Sequence, residues 1–125
     1  MTDKMILNIN PMPKPRMVKS DAWKKRPCVI RYWSFKDEVV LLAKGYQVPK
    51  AVVLVFVMKM PNSWSKKYQA FMKGKPHQQT PDIDNLVKAI FDCLVENDSY
   101  IHTVYAKKIW GEQGQIMIRD LEDVL

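Results

Sequence analysis

Three aspartates in the second half of the chain, Asp82, Asp84 and Asp98, are of the residue type that holds a divalent metal ion. Mg²⁺ is bound through oxygen ligands, and it can polarise a phosphodiester, activate a water and neutralise the leaving oxygen. Lys88 follows Asp84 by one helical turn and could stabilise negative charge on a phosphate in the transition state. These residue types are suited to metal-dependent hydrolysis of a phosphodiester.

The carboxylates of Asp82 and Asp84 can converge only if the backbone changes conformation between them. Two residues that are two apart point about 200° apart on a helix, whereas they share a face in extended backbone. Pro81 favours extended geometry at Thr80, just before the expected start of a helix. We therefore expect both carboxylates where an extended segment meets a helix N-terminus, and a reversal after that helix could bring Asp98 to the same region.

The same residues also have purely structural interpretations. Asp82 or Asp84 could cap the helix, which would stabilise it by about 0.5–2 kcal/mol. Asp84, Lys88 and Asp92 could form a solvated row of i,i+4 ion pairs. Asp98 could lie in a simple turn. For Asp92 we expect the structural role, as a surface partner of Lys88.

The charge balance favours a partner that is a polyanion. The 125 residues include 20 Lys and Arg against 13 Asp and Glu, which gives a formal net charge of +7. Small basic proteins often bind nucleic acids, because neutralising phosphates releases counterions. Basic residues crowd the first quarter of the chain, and acidic residues are few until Asp82.

Several other classes of protein are not expected. No apolar run approaches the roughly 20 residues of a membrane helix, and the N-terminus does not resemble a secretory signal, so we expect a cytoplasmic protein. Cys28 and Cys93 lie far apart and outside any CxxC pattern, which favours reduced, inert thiols. His77 and His102 are not spaced as a zinc pair. The sequence has no glycine-rich phosphate loop and no GxSxG elbow. No small-molecule organic cofactor is expected.

The hydrophobic pattern predicts a single domain over residues 1–125, with the element order β-α-β-(α)-α-β-β. Helices should pack on one mixed or mostly antiparallel sheet in an α+β fold. The prolines at 11, 13 and 15 predict an irregular basic loop. Trp64, Tyr68 and Phe71 recur at helical spacing, which we interpret as packing, with base stacking as the alternative. The predicted elements are strands at Met5–Ile9, Ala51–Met58, Thr103–Trp110 and Gln115–Arg119, the last two forming a hairpin around Gly111–Gly114, and helices at Arg31–Lys44 (ending near Gly45), Ser63 to about Met72 (ending at Gly74) and Asp82–Leu94.

Several of these segments, taken in order, resemble the RusA family of crossover (Holliday) junction endodeoxyribonucleases. The strongest part of the resemblance is Gly74–His77 followed by Thr80–Asp92, which contains Asp-x-Asp-Asn-Leu-x-Lys. Pro11–Arg16, Asn97–Ser99 and Lys107–Gly114 are similar to further pieces of the family. The resemblance implies a homodimer in bacterial or phage recombination and repair. It would bind four-way DNA junctions and nick two strands symmetrically with Mg²⁺, for which Mn²⁺ would substitute.

Carried over residue by residue, the resemblance implies that Asp82, Asp84 and Asp98 bind the metal and that Lys88 is the catalytic lysine. The residues expected to meet DNA are Lys14, Arg16, Lys73, Lys75, His77 and Lys107.

The chain departs from some members of the family at two places. Asn97 stands where many have a second aspartate, and Gln78–Pro81 stands where some have arginines. Two alternatives stay open from the sequence. One is a basic DNA-binding module without catalysis, and the other is a nuclease for other branched nucleic acids.

Overall fold

Three helices and four strands make up the regular structure of the computed structural model, which describes residues 4–16, 18–19 and 26–124. The α+β class and the predicted element order are confirmed. No helix in the described part of the chain is both long and apolar enough to cross a membrane. The elements are β1 (Lys4–Leu7), α1 (Pro27–Ala43), β2 (Ala51–Lys59), α2 (Lys66–Met72), α3 (Ile83–Leu94), β3 (Thr103–Gly111) and β4 (Gln115–Asp120), with short 3-10 turns at Asp98–Tyr100 and Leu121–Asp123.

The sheet has the strand order β1-β4-β2-β3, with β2 antiparallel to β4 and parallel to β3. The predicted β3–β4 hairpin is wrong, because β2 lies between these two strands. Residues Ala51–Val57 are all buried. A strand that is buried over most of its length needs hydrogen-bonding partners at both edges, and a hairpin of β3 with β4 would have left one edge of β2 open.

The connection from β3 to β4 passes close to the loop that follows β1. A Cβ atom placed on Gly114 would lie 2.7 Å from Cα of Asn10. We predict that Gly114→Ala lowers the free energy of unfolding by about 1–3 kcal/mol, because the backbone of one loop must move. Urea denaturation measures this, with the exposed neighbour substitution Gln113→Ala as the control. Equal stability of the two variants would contradict the close approach.

One face of the sheet is covered by α1 and α3, and the main core lies between them. The strand residues that face the helices alternate along β2, as expected for the two-residue period of a strand. Their partners recur along the inner faces of the two helices. The fully or almost fully buried residues of this core include Tyr32, Phe35 and Val39 of α1, Leu86 and Ile90 of α3, and Leu54 and Phe56 of β2.

The helix boundaries differ in part from the predicted ones. Helix α1 begins at Pro27, four residues before the predicted start, since proline has the backbone angle that the first helical position requires. It ends before Lys44 and Gly45, which both have positive φ, so the predicted end is confirmed. Helix α2 is capped by Ser65 instead of Ser63, with Ser65 Oγ accepting a hydrogen bond from Tyr68 N at 3.1 Å.

The opposite face of the sheet has no helix on it within the described residues. Its centre is formed by Val53, Val55 and Val57, with Met117 and Leu121 packed against them.

The two cysteines are free, and burial raises the pKa of the Cys93 thiol to about 11, so that this thiol stays protonated and inert.

Candidate active site

Helix α3 begins directly after Asp82, which has extended backbone angles (φ −68°, ψ 143°). The Asp82 carbonyl accepts hydrogen bonds from Asn85 N at 3.2 Å and Leu86 N at 3.3 Å, whereas its carboxylate makes no capping hydrogen bond. The predicted change from extended chain to helix at this position is confirmed. The carboxylate of Asp82 therefore makes no hydrogen bond to the first N–H groups of the helix.

Asp84 occupies the first turn of α3 and forms an ion pair with Lys88, with Oδ2 and Nζ 3.7 Å apart. About two thirds of each side chain is exposed. An ion pair as exposed as this contributes at most about 1 kcal/mol. Both groups can therefore exchange their partner for a ligand at little energetic cost.

Asp92 does not pair with Lys88, so the expectation that it is a surface partner of Lys88 is wrong. Its carboxylate accepts a hydrogen bond of 2.7 Å from the Tyr32 hydroxyl and lies 3.2 Å from Lys14 Nζ and 3.6 Å from Lys36 Nζ. Eight residues along a helix give a net rotation of about 80° around the helix axis. The side chain of Asp92 therefore points in a different direction from that of Asp84, toward α1. Through Lys14 and Tyr32, Asp92 thus fixes the basic loop against α3 and α1.

The environment of Asp92 makes its contribution to stability depend on pH. Burial opposes its charge, but the hydrogen bonds from Tyr32 and Lys14, with the ammonium of Lys36 nearby, hold the pKa of Asp92 below its usual range. A carboxyl whose pKa is lower in the folded state stabilises the fold above its unfolded pKa. That stabilisation is lost as the pH falls through the folded value.

We predict that Asp92→Asn lowers the free energy of unfolding by about 1–3 kcal/mol at pH 7. The difference from wild type should shrink as the pH falls from about 5 to about 3. Urea denaturation over that pH range measures it, with the exposed α1 substitution Asp37→Asn as the control. A difference that is independent of pH would show that the charge of Asp92 is not its source.

A cleft of about 340 Å³ lies along the C-terminal half of α3 and the turn after it. Lys14, Lys88 and Asp98 are among the residues that line it. Asn97 precedes Asp98 and caps the short turn, with its side-chain oxygen accepting from Ser99 N at 3.1 Å. The fold thus brings Asp98 and Lys88 to one cleft, and it gives Asn97 a structural role.

A second shallow cleft adjoins the first and is lined by the basic loop and α3. Lys14, Arg16, Asn85 and Lys88 contribute to it. The loop is attached to the helix through Lys14 N, which donates to the Asn85 carbonyl at 3.4 Å. Lys88 borders both clefts, so it lies beside Lys14 and Arg16 of the basic loop.

The three candidate metal ligands are not gathered into one preformed cluster. Among residues 4–16, 18–19 and 26–124, no three acidic, histidine or cysteine side chains are placed to hold a metal ion together. Asp82 and Asp84 lie at the start of α3, and Asp98 lies beyond its end. Lys88 connects these places, since it contacts Asp84 and lines the cleft that contains Asp98.

The residues predicted to meet DNA do not share one surface. Lys107 is paired with Val55 and lies on the open face of the sheet, opposite to the helices. His77 is only 7% exposed and packs on Trp110, with ring centroids 4.3 Å apart. Burial and the nearby Lys108 lower the pKa of His77, so its ring is neutral and internal. The placement of His77 does not fit a direct contact with DNA.

The other predicted DNA contacts are exposed or at the surface. Lys73 and Lys75 follow α2, and Lys73 Nζ lies 3.4 Å from a carboxylate oxygen of Glu112. Lys75 Nζ lies 4.4 Å from the centre of the Phe71 ring. Lys73 and Lys75 therefore belong to the α2 region, whereas Lys14 and Arg16 lie beside α3.

Lys108 is a residue that the sequence analysis missed. Its Nζ donates hydrogen bonds to the carbonyls of Gln79 at 2.6 Å and Pro81 at 2.7 Å, and so fixes the chain that leads into Asp82. Alternation along a strand offered the only signal, because Lys107 and Lys108 must point to opposite faces of β3.

For the DNA cleavage that the resemblance implies, we predict that Lys108→Met lowers the rate by about 10- to 100-fold, because Asp82 loses its fixed approach. Binding of DNA should change little, so the loss should fall on kcat and not on KM. Lys107→Met is the matched control, with the same change of charge on the adjacent residue of β3. Equal cleavage rates in the two variants would contradict the positioning role.

The chain that carries these candidate residues also matches a known protein family. The family model described as Endodeoxyribonuclease RusA matches residues 8–119. The match takes in the basic loop, α3 and the turn with Asp98. No curated protein matches the chain.

Proposed function

Because this chain belongs to the RusA endodeoxyribonuclease family, we propose that it resolves four-way (Holliday) DNA junctions by metal-dependent hydrolysis of phosphodiesters. The observation that carries the proposal is the extent of the family match, which includes Asp82, Asp84, Lys88 and Asp98 together with the basic loop beside them. The positive net charge of +7 supports a nucleic-acid substrate. The biological role that follows is DNA recombination and repair.

The donors at the site are chemically suited to Mg²⁺, and Mn²⁺ would substitute for it. Asp82, Asp84 and Asp98 offer carboxylate oxygens, the ligands that hard cations prefer. The Asp82 carboxylate is not engaged in capping, and Asp84 has only an exposed ion pair to give up. Mg²⁺ is usually held by one or two carboxylates plus phosphate oxygens and waters, so three pregathered carboxylates are not required. Once bound, the ion supplies polarisation of the phosphate and activation of a water.

The basic residues around the clefts would bind and orient the DNA backbone. Lys88 lies between Asp84 and the cleft with Asp98, where its ammonium would stabilise charge on the scissile phosphate. Lys14 is held in place by Asp92, and the exposed Arg16 beside it would contact a neighbouring phosphate. Lys108 would hold the chain just before Asp82 and so keep the Asp82 carboxylate in a fixed position relative to these cations.

We propose a homodimer as the active form, since a four-way junction has two-fold symmetry and must be nicked on two strands. A two-fold dimer presents one site to each of these strands. Sedimentation of the protein with and without junction DNA tests this part of the proposal. A monomer bound to the junction at micromolar concentration would contradict it.

A panel of substrates tests the proposed specificity. The protein is incubated with Mg²⁺ and an equal concentration of a four-way junction, a three-way junction, a linear duplex or a branched RNA. We expect the four-way junction to be cut fastest and the linear duplex to stay intact. Binding that ignores Mg²⁺, without cleavage of any substrate, would instead identify a non-catalytic DNA-binding module. Faster cleavage of the three-way junction or of RNA would move the proposal to another branched substrate.

A further inference from the structure

Helix α2 presents two aromatic side chains to solvent. Phe71 is 63% exposed and Tyr68 is 44% exposed, and their rings stack with centroids 6.4 Å apart and an interplanar angle of 26°. No residue of α2 is buried. Of the three aromatic residues that we interpreted as packing, Trp64 packs against the buried Trp110 with ring centroids 4.8 Å apart, and Tyr68 contacts Trp64 edge-on at 4.7 Å, which leaves the rest of its ring exposed. Two adjacent exposed rings differ from the singly scattered apolar side chains of an ordinary protein surface.

Exposed lysines lie on α2 and just after it. Lys66 and Lys67 lie on α2 itself, and both are exposed. Lys75 follows it and places its ammonium 4.4 Å from the Phe71 ring centre, a cation–π contact. The acidic residue Glu112 is exposed nearby, and its carboxylate pairs with Lys73 at 3.4 Å. The α2 surface (Lys66, Lys67, Tyr68, Phe71 and Lys75) is thus both aromatic and strongly basic.

This combination fits nucleic acid whose bases are unpaired. Aromatic rings stack on exposed bases, and lysines bind the phosphates between them, whereas a paired duplex offers only its phosphates. A second copy of this chain fits less well, because a two-fold contact would place the lysines of one surface against those of the other. An acidic protein partner would account for the lysines, but not for two rings stacked beside them.

The segment that follows α2 is hydrogen-bonded to β3, the edge strand that also carries Lys108. Gly74 N donates to the Trp110 carbonyl at 2.9 Å, and Trp110 N donates to the Lys75 carbonyl at 3.0 Å. The chain then pairs with β3 through His77 N and the Lys108 carbonyl at 3.0 Å. The side chain of Lys108 fixes Pro81, next to Asp82. A nucleotide held on α2 would therefore have a defined position relative to the carboxylates.

We propose that Tyr68 and Phe71 form a stacking surface for unpaired nucleotides at the branch point of the DNA substrate, with Lys66, Lys67 and Lys75 binding the adjoining phosphates. The inference rests on the proposed function for the identity of the substrate as branched DNA. The α2 surface would thus let the protein select DNA with unpaired bases over fully paired DNA.

The test compares binding of a dT oligonucleotide and of a linear duplex at one fixed salt concentration. The double variant Tyr68→Leu/Phe71→Leu keeps all charges and changes only exposed rings, and its folding is checked by thermal denaturation. We expect it to bind the oligonucleotide at least about 10-fold more weakly, with less than about 2-fold change for the duplex. The control is Tyr105→Leu, an aromatic residue that is 56% exposed on the open face of the sheet and should have no effect.

Each other outcome overturns the inference. Unchanged binding of the oligonucleotide would show that the rings do not stack on bases. An equal loss for oligonucleotide and duplex would show that the two rings do not distinguish unpaired from paired nucleotides. A change in oligomeric state in the double variant would identify the surface as a protein contact. Failure of the proposed function gives a different pattern, since wild type would then bind the oligonucleotide through these rings but leave four-way junctions uncut with Mg²⁺.

Discussion

Asp82→Asn and Asp84→Asn are each expected to slow junction cleavage by more than about 100-fold, while the protein still folds and binds the junction. Loss of a group in the outer shell of a metal site already costs about 10- to 100-fold, and loss of a direct ligand costs more. Asparagine keeps the size of the side chain but removes the charge that a hard cation requires. Binding should persist, because the phosphate contacts proposed above are made by the cations around the clefts.

The rate of cleavage is measured with Mg²⁺ in excess, and junction affinity is measured without metal. Asp37→Asn is the matched control, since Asp37 is an exposed aspartate on α1 and undergoes the same change of charge. Cleavage by Asp82→Asn or Asp84→Asn at the rate of Asp37→Asn would remove that carboxylate from the site. Loss of folding together with binding would instead assign it a structural role at the start of α3.

Phe56→Ala is expected to lower the free energy of unfolding by about 3–5 kcal/mol. Phe56 is completely buried at the centre of β2 and faces the core that α1 and α3 cover. Truncation removes buried apolar surface and leaves a cavity that the flanking helices can close only in part. Since the total stability of a domain is about 5–15 kcal/mol, this one change should leave the protein close to unfolding.

Guanidinium denaturation at neutral pH measures the effect of Phe56→Ala. Tyr105→Ala is the control, because it also removes an aromatic ring, but from an exposed position on the uncovered face of the sheet. It should cost less than about 1 kcal/mol. Equal destabilisation by the two substitutions would mean that the main core does not lie between the sheet and the helices.

The elements that follow from local sequence were predictable. The apolar stripe of α3 fixes a helix whatever its neighbours are, and the apolar run of β2 fixes a buried strand. The conformation at Asp82 followed in the same way from Pro81 and the start of α3. Pairing between strands was not predictable from the short connection Gly111–Gly114, since the demand of β2 for two partners prevails over the proximity of β3 and β4 in the chain.

The same distinction between local and long-range contacts applies to the candidate site. Lys88 and Asp84 were expected to be neighbours because they are four residues apart on one helix, and they are. The partners of Asp92 lie 60 and 78 residues away in sequence, on α1 and in the basic loop, so no local pattern could reveal them. The role of Lys108 likewise requires knowing which face of β3 looks toward the start of α3.

The measurement that tests the central claim most directly is cleavage of a four-way junction labelled on two opposing strands, in EDTA and in Mg²⁺. We expect no cleavage in EDTA and, with Mg²⁺, paired nicks at symmetric positions near the crossover. Junctions that are bound but stay intact with both Mg²⁺ and Mn²⁺, or that are nicked equally in EDTA, would contradict it.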